Sequence, residues 1–271
     1  MKWTITDRLD AFPERAEDFL RRDPVLSTVP LTVLARARAG VWPEVLLAWL
    51  EDGEEIHGVA VQTTAYPLLL ATPSPGSAAA LAQALAGREI PGVNGPVAQA
   101  EEFAAAWPRP EHDRMAMRLY ALGTLTPPSP RPAGTARPAE LRDLDLCVAW
   151  YRAFLAEAEP SNTDPDPTDQ VRARIVAGEL VLWEDGGAPV SLACYSTPIV
   201  EMSRIGPVYT PPEARRKGYG AAATHAASET AQRAGATRLL LFTDLSNPTS
   251  NSIYQALGYR PVMDFAGVHF G

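Results

Sequence analysis

The sequence predicts an α+β protein made of two similar halves, and two observations lead there. Short runs of β-branched and aromatic residues alternate with Ala-rich runs of helical spacing. The stretch at residues 46–64, LLAWLEDGEEIHGVAVQTT, also lies over residues 180–197, LVLWEDGGAPVSLACYST. Trp49 falls on Trp183 and, after one gap, Asp52 falls on Asp185. Each stretch follows helices and precedes a strand and an Ala-rich helix, as a duplicated unit requires. Hairpins resemble one another, so the shared order of elements carries more weight than the matched residues. The halves are placed at residues 1–116 and 117–271.

The elements follow in order. The first forty residues read as helices: RAEDFLRRD, ended by Pro24, and PLTVLARARAG, stopped by Gly40. Two strands follow around Asp52-Gly53, then the strand YPLLLAT. A helix enters through Ser77 and leaves at Gly87, and residues 91–107 read as a turn and another helix. MRLYALGTL reads as a strand, and the proline-dense run after it as a semi-rigid loop. DLDLCVAWYRAFLAEA is an amphipathic helix with Leu144, Val148, Tyr151 and Leu155 near one stripe. SNTDPDP reads as a polar loop, DQVRARIVAG as a helix, and residues 179–197 as two strands joined at Asp185, Gly186 and Gly187. RLLLFTD reads as a strand buried on both faces, NPTSNSIYQALGY as a helix, and YRPVMDFAGVHF as closing strands.

Composition narrows the function classes. The chain has 271 residues, 46% hydrophobic and 21% charged, ordinary for one large or two ordinary globular domains. A net charge of −8 argues against a general nucleic-acid binder. Cys147 and Cys194 are far apart and lack metal-ligand spacing, so they read as buried thiols with no metal. No apolar run of about 18 residues and no signal-peptide pattern occurs, which predicts a cytoplasmic protein away from membranes.

The chemistry concentrates in residues 205–221, IGPVYTPPEARRKGYGA. Ile205, Val208 and Tyr209 form strands, and Pro211 and Pro212 force a turn. Arg215, Arg216 and Lys217 then precede Gly218 and Gly220 at the start of an Ala-rich helix that ends at Gly235. Glycines let backbone N–H groups approach a ligand, and a helix start carries about half a positive charge. That combination fits phosphate; a solvated basic turn capping a surface helix is the structural alternative. No G-x-x-x-x-G-K-[ST] or G-x-G-x-x-G loop is present, which weakens nucleoside triphosphate and dinucleotide readings.

With these motifs in order, the second half resembles the GNAT (Gcn5-related N-acetyltransferase) family over about residues 117–271. The family's Arg/Gln-x-x-Gly-x-Gly/Ala loop is met by Arg215, Arg216, Lys217, Gly218, Tyr219 and Gly220. Its later Asn, Tyr and Gly-aromatic pattern is met by Asn247, Tyr254, Gly258 and Tyr259. The resemblance implies a mixed, twisted sheet flanked by helices, open between two neighbouring strands where acetyl-CoA lies. It places the pyrophosphate on residues 215–221, Ala221 included, and the pantetheine arm along Val208, Tyr209 and Thr210. The first half would be a degenerate GNAT-like domain, with TPSPGSAAALAQ where the basic loop should stand.

Asn247, Asn251 and Tyr254 are spaced to share one helix face that can meet the cofactor, with Asn247 and Asn251 as cofactor-binding candidates, while Ile253 and Leu257 lie on another that packs on the sheet. Asn247 before Pro248 also suits a plain N-cap. Acetyl transfer to an amine needs a neutral amine, a stabilised thioester oxygen and a proton for the departing thiolate. Neutralising a lysine-like amine of pKa near 10.4 at pH 7.4 costs about 4 kcal/mol. The resemblance gives the acid role to Tyr254, with a backbone N–H near Val208 for the oxyanion. Glu201 is the first candidate base. Glu213 reads better as a loop ion-pair partner of Arg215 and Arg216, Asp244 as a cap or turn residue, and His225 as a packing or surface residue. The expectation is an acetyl-CoA-dependent N-acetyltransferase acting on a small-molecule or protein amine, without a metal. The rival is a non-catalytic acyl-CoA-binding or regulatory protein.

Overall fold

The computed structural model describes residues 1–42, 44–63, 66–72, 74–158 and 166–271. Residues 161–165 of the expected SNTDPDP loop lie outside the described residues. Contacts divide the chain into two compact units, Met1–Arg118 with Met263–Gly271, and Leu119–Val262.

The first unit holds strands β1 (Lys2–Thr6), β2 (Val45–Asp52), β3 (Glu55–Thr63), β4 (Leu68–Ala71) and β5 (Gly92–Pro96). Its helices are α1 (Glu14–Arg22), α2 (Thr28–Arg38), α3 (Ser77–Ala84) and α4 (Val97–Ala106). Strand β6 (Glu111–Leu122) and the last strand β12 (Tyr259–Phe270) each give part of their length to this unit. The order is β1-β2-β3-β4-β5-β12, antiparallel except for the parallel β4-β5 pair. Leu47, Ala48 and Val61 are buried in this sheet, and Leu81, Phe103 and Val268 sit in its core.

Two strands of this unit differ from the sequence reading. β1 occupies part of the stretch read as purely helical, pairing Trp3 with Leu50 and Ile5 with Ala48. β5 occupies the expected turn at residues 92–96. Its glycines disguise it, yet a side chain on Gly95 would stand 2.9 Å from Leu70 Cβ, and one on Gly92 2.6 Å from the Val268 carbonyl oxygen. Close approach of neighbouring strands, rather than a turn, explains these glycines.

The second unit holds β7 (Thr135–Pro138), α5 (Leu144–Ala158), α6 (Thr168–Val176), β8 (Leu180–Asp185), β9 (Ala188–Tyr195) and β10 (Met202–Tyr209). It continues with α7 (Tyr219–Arg233), β11 (Arg238–Asp244) and α8 (Pro248–Ala256). Its strand order is β6-β11-β10-β9-β8-β7. α7 packs with Ala223, Ala227 and Ala231 against Ala193, Tyr195 and Ile205. The small alanines let the helix lie close to the strands. α5 and α6 bring Cys147, Tyr151, Val171 and Ile175 into a separate core with Leu180, Leu192, Cys194 and Tyr209. Both cysteines are buried and free, and burial pushes their thiols up, to about 12 for Cys147 and about 11 for Cys194. They remain thiols at neutral pH, as the sequence suggested.

The fold is therefore α+β, with a mixed sheet flanked by helices, as expected from the sequence. Each unit contains an antiparallel hairpin followed by a strand, a helix and a parallel strand pairing.

Candidate functional site

The site begins where β10 leaves β11. The two pair in parallel only over Met202–Arg238, Ser203–Leu239 and Arg204–Leu240. Beyond that, β10 pairs with β9 alone, Ile205 opposite Tyr195 and Val208 opposite Ala193. Gly206 and Pro207 thus face the single residue Cys194, a β-bulge that turns the strand away from its neighbour. The backbone of residues 205–209 has no strand partner on its β11 side among the described residues, so an extended chain can pair there. Val208 is half-buried beside the α7 core, and Tyr209 is buried in the α5 core. Thr210 Oγ1 shares a 2.9 Å hydrogen bond with Ser191 Oγ.

The basic loop closes one end of this opening. Arg216, at φ +62°, and Gly218, at φ +83°, are both left-handed, and the chain turns there directly into α7. No side chain caps α7. Among the described residues the backbone N–H groups of Arg216 to Ala221 donate to no protein acceptor. Such a run of free amides at a helix start is an anion cradle. Gly220 keeps it open, since a Cβ there would stand 3.1 Å from Thr210 Oγ1. Arg216 and Lys217 are exposed and, among the described residues, form no ion pair. Tyr219 is buried and donates its hydroxyl to Asp185, tying the loop to the β8–β9 hairpin; this bond holds its proton more firmly.

Arg215 behaves differently from its two neighbours. Its Nε donates to the Thr210 carbonyl at 2.9 Å, and its Nη2 donates to Glu157 at 2.7 and 2.8 Å. Its guanidinium also lies 5.7 Å from the centre of the Tyr209 ring. Arg215 thus braces the loop against α5 and Thr210. Glu157, rather than the nearby Glu213, is its carboxylate partner, and Glu213 is exposed.

α8 places the other predicted residues. Asn247 caps it, accepting from the Ser250 N–H at 3.0 Å. Asn251 turns inward: its Nδ2 donates to the carbonyls of Asp244 (2.8 Å) and Asn247 (2.7 Å), and its Oδ1 accepts from the Tyr120 hydroxyl at 2.9 Å. Both of its donors are thereby taken by the protein. Tyr254 is half-buried with its ring edge-on to Tyr259 at 6.2 Å. Desolvation pushes its hydroxyl up to about 12, and that hydroxyl has no hydrogen-bond partner among the described residues. Val208 and Tyr254 border the same apolar cluster, on the α7 side of the sheet.

Glu201 lies at the opposite end of β10 from the basic loop. It stands just before Met202, where β10 still pairs with β11. It is exposed, at φ +60°, and its carbonyl accepts from the N–H groups of Thr237 (2.9 Å) and Arg238 (3.2 Å). Asp244 holds a turn, accepting from Ser246 N–H at 2.7 Å and Ser246 Oγ at 2.8 Å. His225 lies 3.6 Å from Glu229, one turn along α7, and burial lowers its pKa. Tyr120 was not among the residues that the sequence singled out. It is fully buried on β6, and only folding brings it to α8.

Comparison with known proteins agrees with this fold. Residues 146–259 match the model of the acetyltransferase (GNAT) family. The matched stretch lies within the second unit, Leu119–Val262. An acetyltransferase of the GNAT family from Colwellia psychrerythraea is 11% identical, with 100% of each chain covered and a TM-score of 0.60. A GCN5-related N-acetyltransferase from Sphaerobacter thermophilus is 15% identical, covering 98% of this chain and 94% of its own, at a TM-score of 0.63. A Drosophila protein is 12% identical over 98% of each chain, at a TM-score of 0.70. No curated protein matches the sequence.

Proposed function

We propose that the chain is an acetyl-CoA-dependent N-acetyltransferase with one active site, in the second unit. The amide cradle of residues 216–221, flanked by Arg216 and Lys217, which form no ion pair among the described residues, carries the reading. The fit to acetyl-CoA is chemical: a pyrophosphate wants amide donors and cations, and a pantetheine arm wants the open strand backbone at residues 205–209. Among the described residues no group of three or more His, Cys, Asp or Glu side chains could hold a metal ion.

In this reading the amine nitrogen attacks the thioester carbonyl carbon. The C–N bond forms, the C–S bond breaks and the amine gives up one proton. The thiolate sulfur takes a proton from Tyr254 Oη, which solvent restores, giving the N-acetyl amine and CoA thiol. A phenol held near 12 stays protonated at neutral pH and can donate. A water in the opening takes the amine proton, with Glu201 as the candidate carboxylate that receives it. Asn247 and Asn251 are assigned to building α8 rather than to holding the cofactor.

The first unit is proposed to be a degenerate copy that binds no acetyl-CoA. Thiol release from acetyl-CoA, measured across an amine panel, tests the catalytic reading. Tyr254→Phe is expected to cut turnover at least tenfold while acetyl-CoA affinity holds. Binding of acetyl-CoA with no thiol release from any amine, or from water, would instead favour a non-catalytic acyl-CoA sensor.

A further inference from the structure

The acid role assigned to Tyr254 requires its hydroxyl to be held in place, yet α8 is poorly anchored by packing. The helix spans Pro248–Ala256, and none of its residues is fully buried. Ile253 and Tyr254 touch the core only as half-buried side chains. The polar contacts are more specific. The Tyr120 hydroxyl donates to Asn251 Oδ1 at 2.9 Å and accepts from Gln255 Nε2 at 3.1 Å. Asn251 and Gln255 are one turn apart on α8, so a single phenol on β6 grips two successive turns. Tyr254 lies between them in sequence. Asn251 extends the grip to the end of β11 and the α8 cap through the Asp244 and Asn247 carbonyls.

We propose that Tyr120 is a positioning residue for the transfer reaction, fixing the α8 backbone through Asn251 and Gln255 and so aiming the Tyr254 hydroxyl. The inference rests on the acetyltransferase reading above. Its physical basis is that a small displacement of a reacting group costs much rate but little cofactor affinity. The cofactor's phosphates belong to the α7 loop, which this network does not touch. Replacing Tyr120 by Phe keeps the buried ring and removes only the hydroxyl, leaving Asn251 Oδ1 and Gln255 Nε2 without that partner.

The test is the rate of acetyl-CoA hydrolysis in water, with no amine added, beside calorimetric affinity for acetyl-CoA. Tyr120→Phe is expected to slow thiol release about tenfold with affinity unchanged within about twofold. In a Tyr254→Phe background the same change should cause no further loss, because the group it aims is gone. Gln255→Ala, at an exposed position, should act in the same direction but less strongly. Full hydrolysis in Tyr120→Phe, losses that multiply in the double variant, or a parallel loss of affinity would overturn the proposal. Tyr254→Phe at wild-type rate would instead remove the acid reading itself, and this inference with it.

Discussion

The Glu102 carboxylate of α4 accepts a hydrogen bond from the Ala79 backbone N–H, in the first turn of α3, at 2.9 Å. Nearby, Gln99 accepts from the Thr72 N–H at 3.0 Å, and Trp3 donates its indole N–H to the Ser77 carbonyl at 3.0 Å. In the first unit, therefore, a side chain of the protein itself supplies an anion to the helix that follows β4. In the second unit the equivalent helix start, at Tyr219–Ala221, has no such partner among the described residues. A carboxylate at a helix start does what a phosphate would do there. The two helix starts explain why one unit is read as a binding domain and the other as a scaffold.

Removing that internal anion should destabilise without creating a second site. Glu102→Ala is expected to cost about 1 kcal/mol, as for loss of a helix cap, read from the urea midpoint. Acetyl-CoA should still bind at one molecule per chain, because among the described residues the first unit has no cation pair at the start of α3. A stoichiometry near two in this variant would contradict the assignment of the first unit.

The hydrolysis and transfer rates should show no alkaline downturn from the acid until far above neutral pH. An ordinary tyrosine loses its proton near pH 10. Desolvation moves Tyr254 up to about 12, so the donor stays protonated through pH 10 while the amine acceptor becomes neutral. Rates of amine transfer should therefore rise from pH 7 to 10. A maximum near pH 8 followed by a fall, with the protein still folded, would exclude Tyr254 as the proton donor.

Acid stability should depend on the ion pair that anchors β7. Arg137 donates to Asp143 at 2.6 and 2.9 Å and to Glu184 at 2.8 Å, and the Arg137 hydrogen bonds hold Asp143 below the usual carboxylate range. A carboxylate depressed in the folded state adds stability that is complete above its unfolded pKa, near 3.9, and is lost as pH falls through the folded value. Asp143→Asn should lower the urea midpoint at pH 7, and the gap to wild type should shrink below about pH 4. An equal gap at pH 7 and pH 2.5 would assign the effect to packing.

Much of the second unit was legible because its signals are local. The Arg215–Gly220 loop, Pro248 after Asn247, and the glycine pair at 186–187 each mark a boundary through one residue's own backbone preference. The strands β1, β5 and β7 were missed because each is short and is stabilised by its neighbours rather than by its own pattern. Arg215 entered by its motif position and Asn251 by its place on a helix face, and neither signal shows a partner within the protein. Their true partners, Glu157 and Tyr120, stand 58 and 131 residues away in sequence, beyond any local signal. The Tyr120 network had no sequence mark at all, since a lone buried tyrosine is the commonest kind.

Titration calorimetry with acetyl-CoA tests the central claim most directly. Wild-type protein should bind one molecule per chain. The double variant Arg216→Ala, Gly220→Asp should bind none while keeping its thermal midpoint within a few degrees. The lost cation removes a charge-assisted contact, and the carboxylate at position 220 would crowd Thr210 and put a negative charge in the amide cradle. Arg215→Ala, by contrast, should lower the thermal midpoint more than the affinity. An unchanged binding isotherm in the folded double variant would show that the loop at residues 216–221 is not the pyrophosphate site.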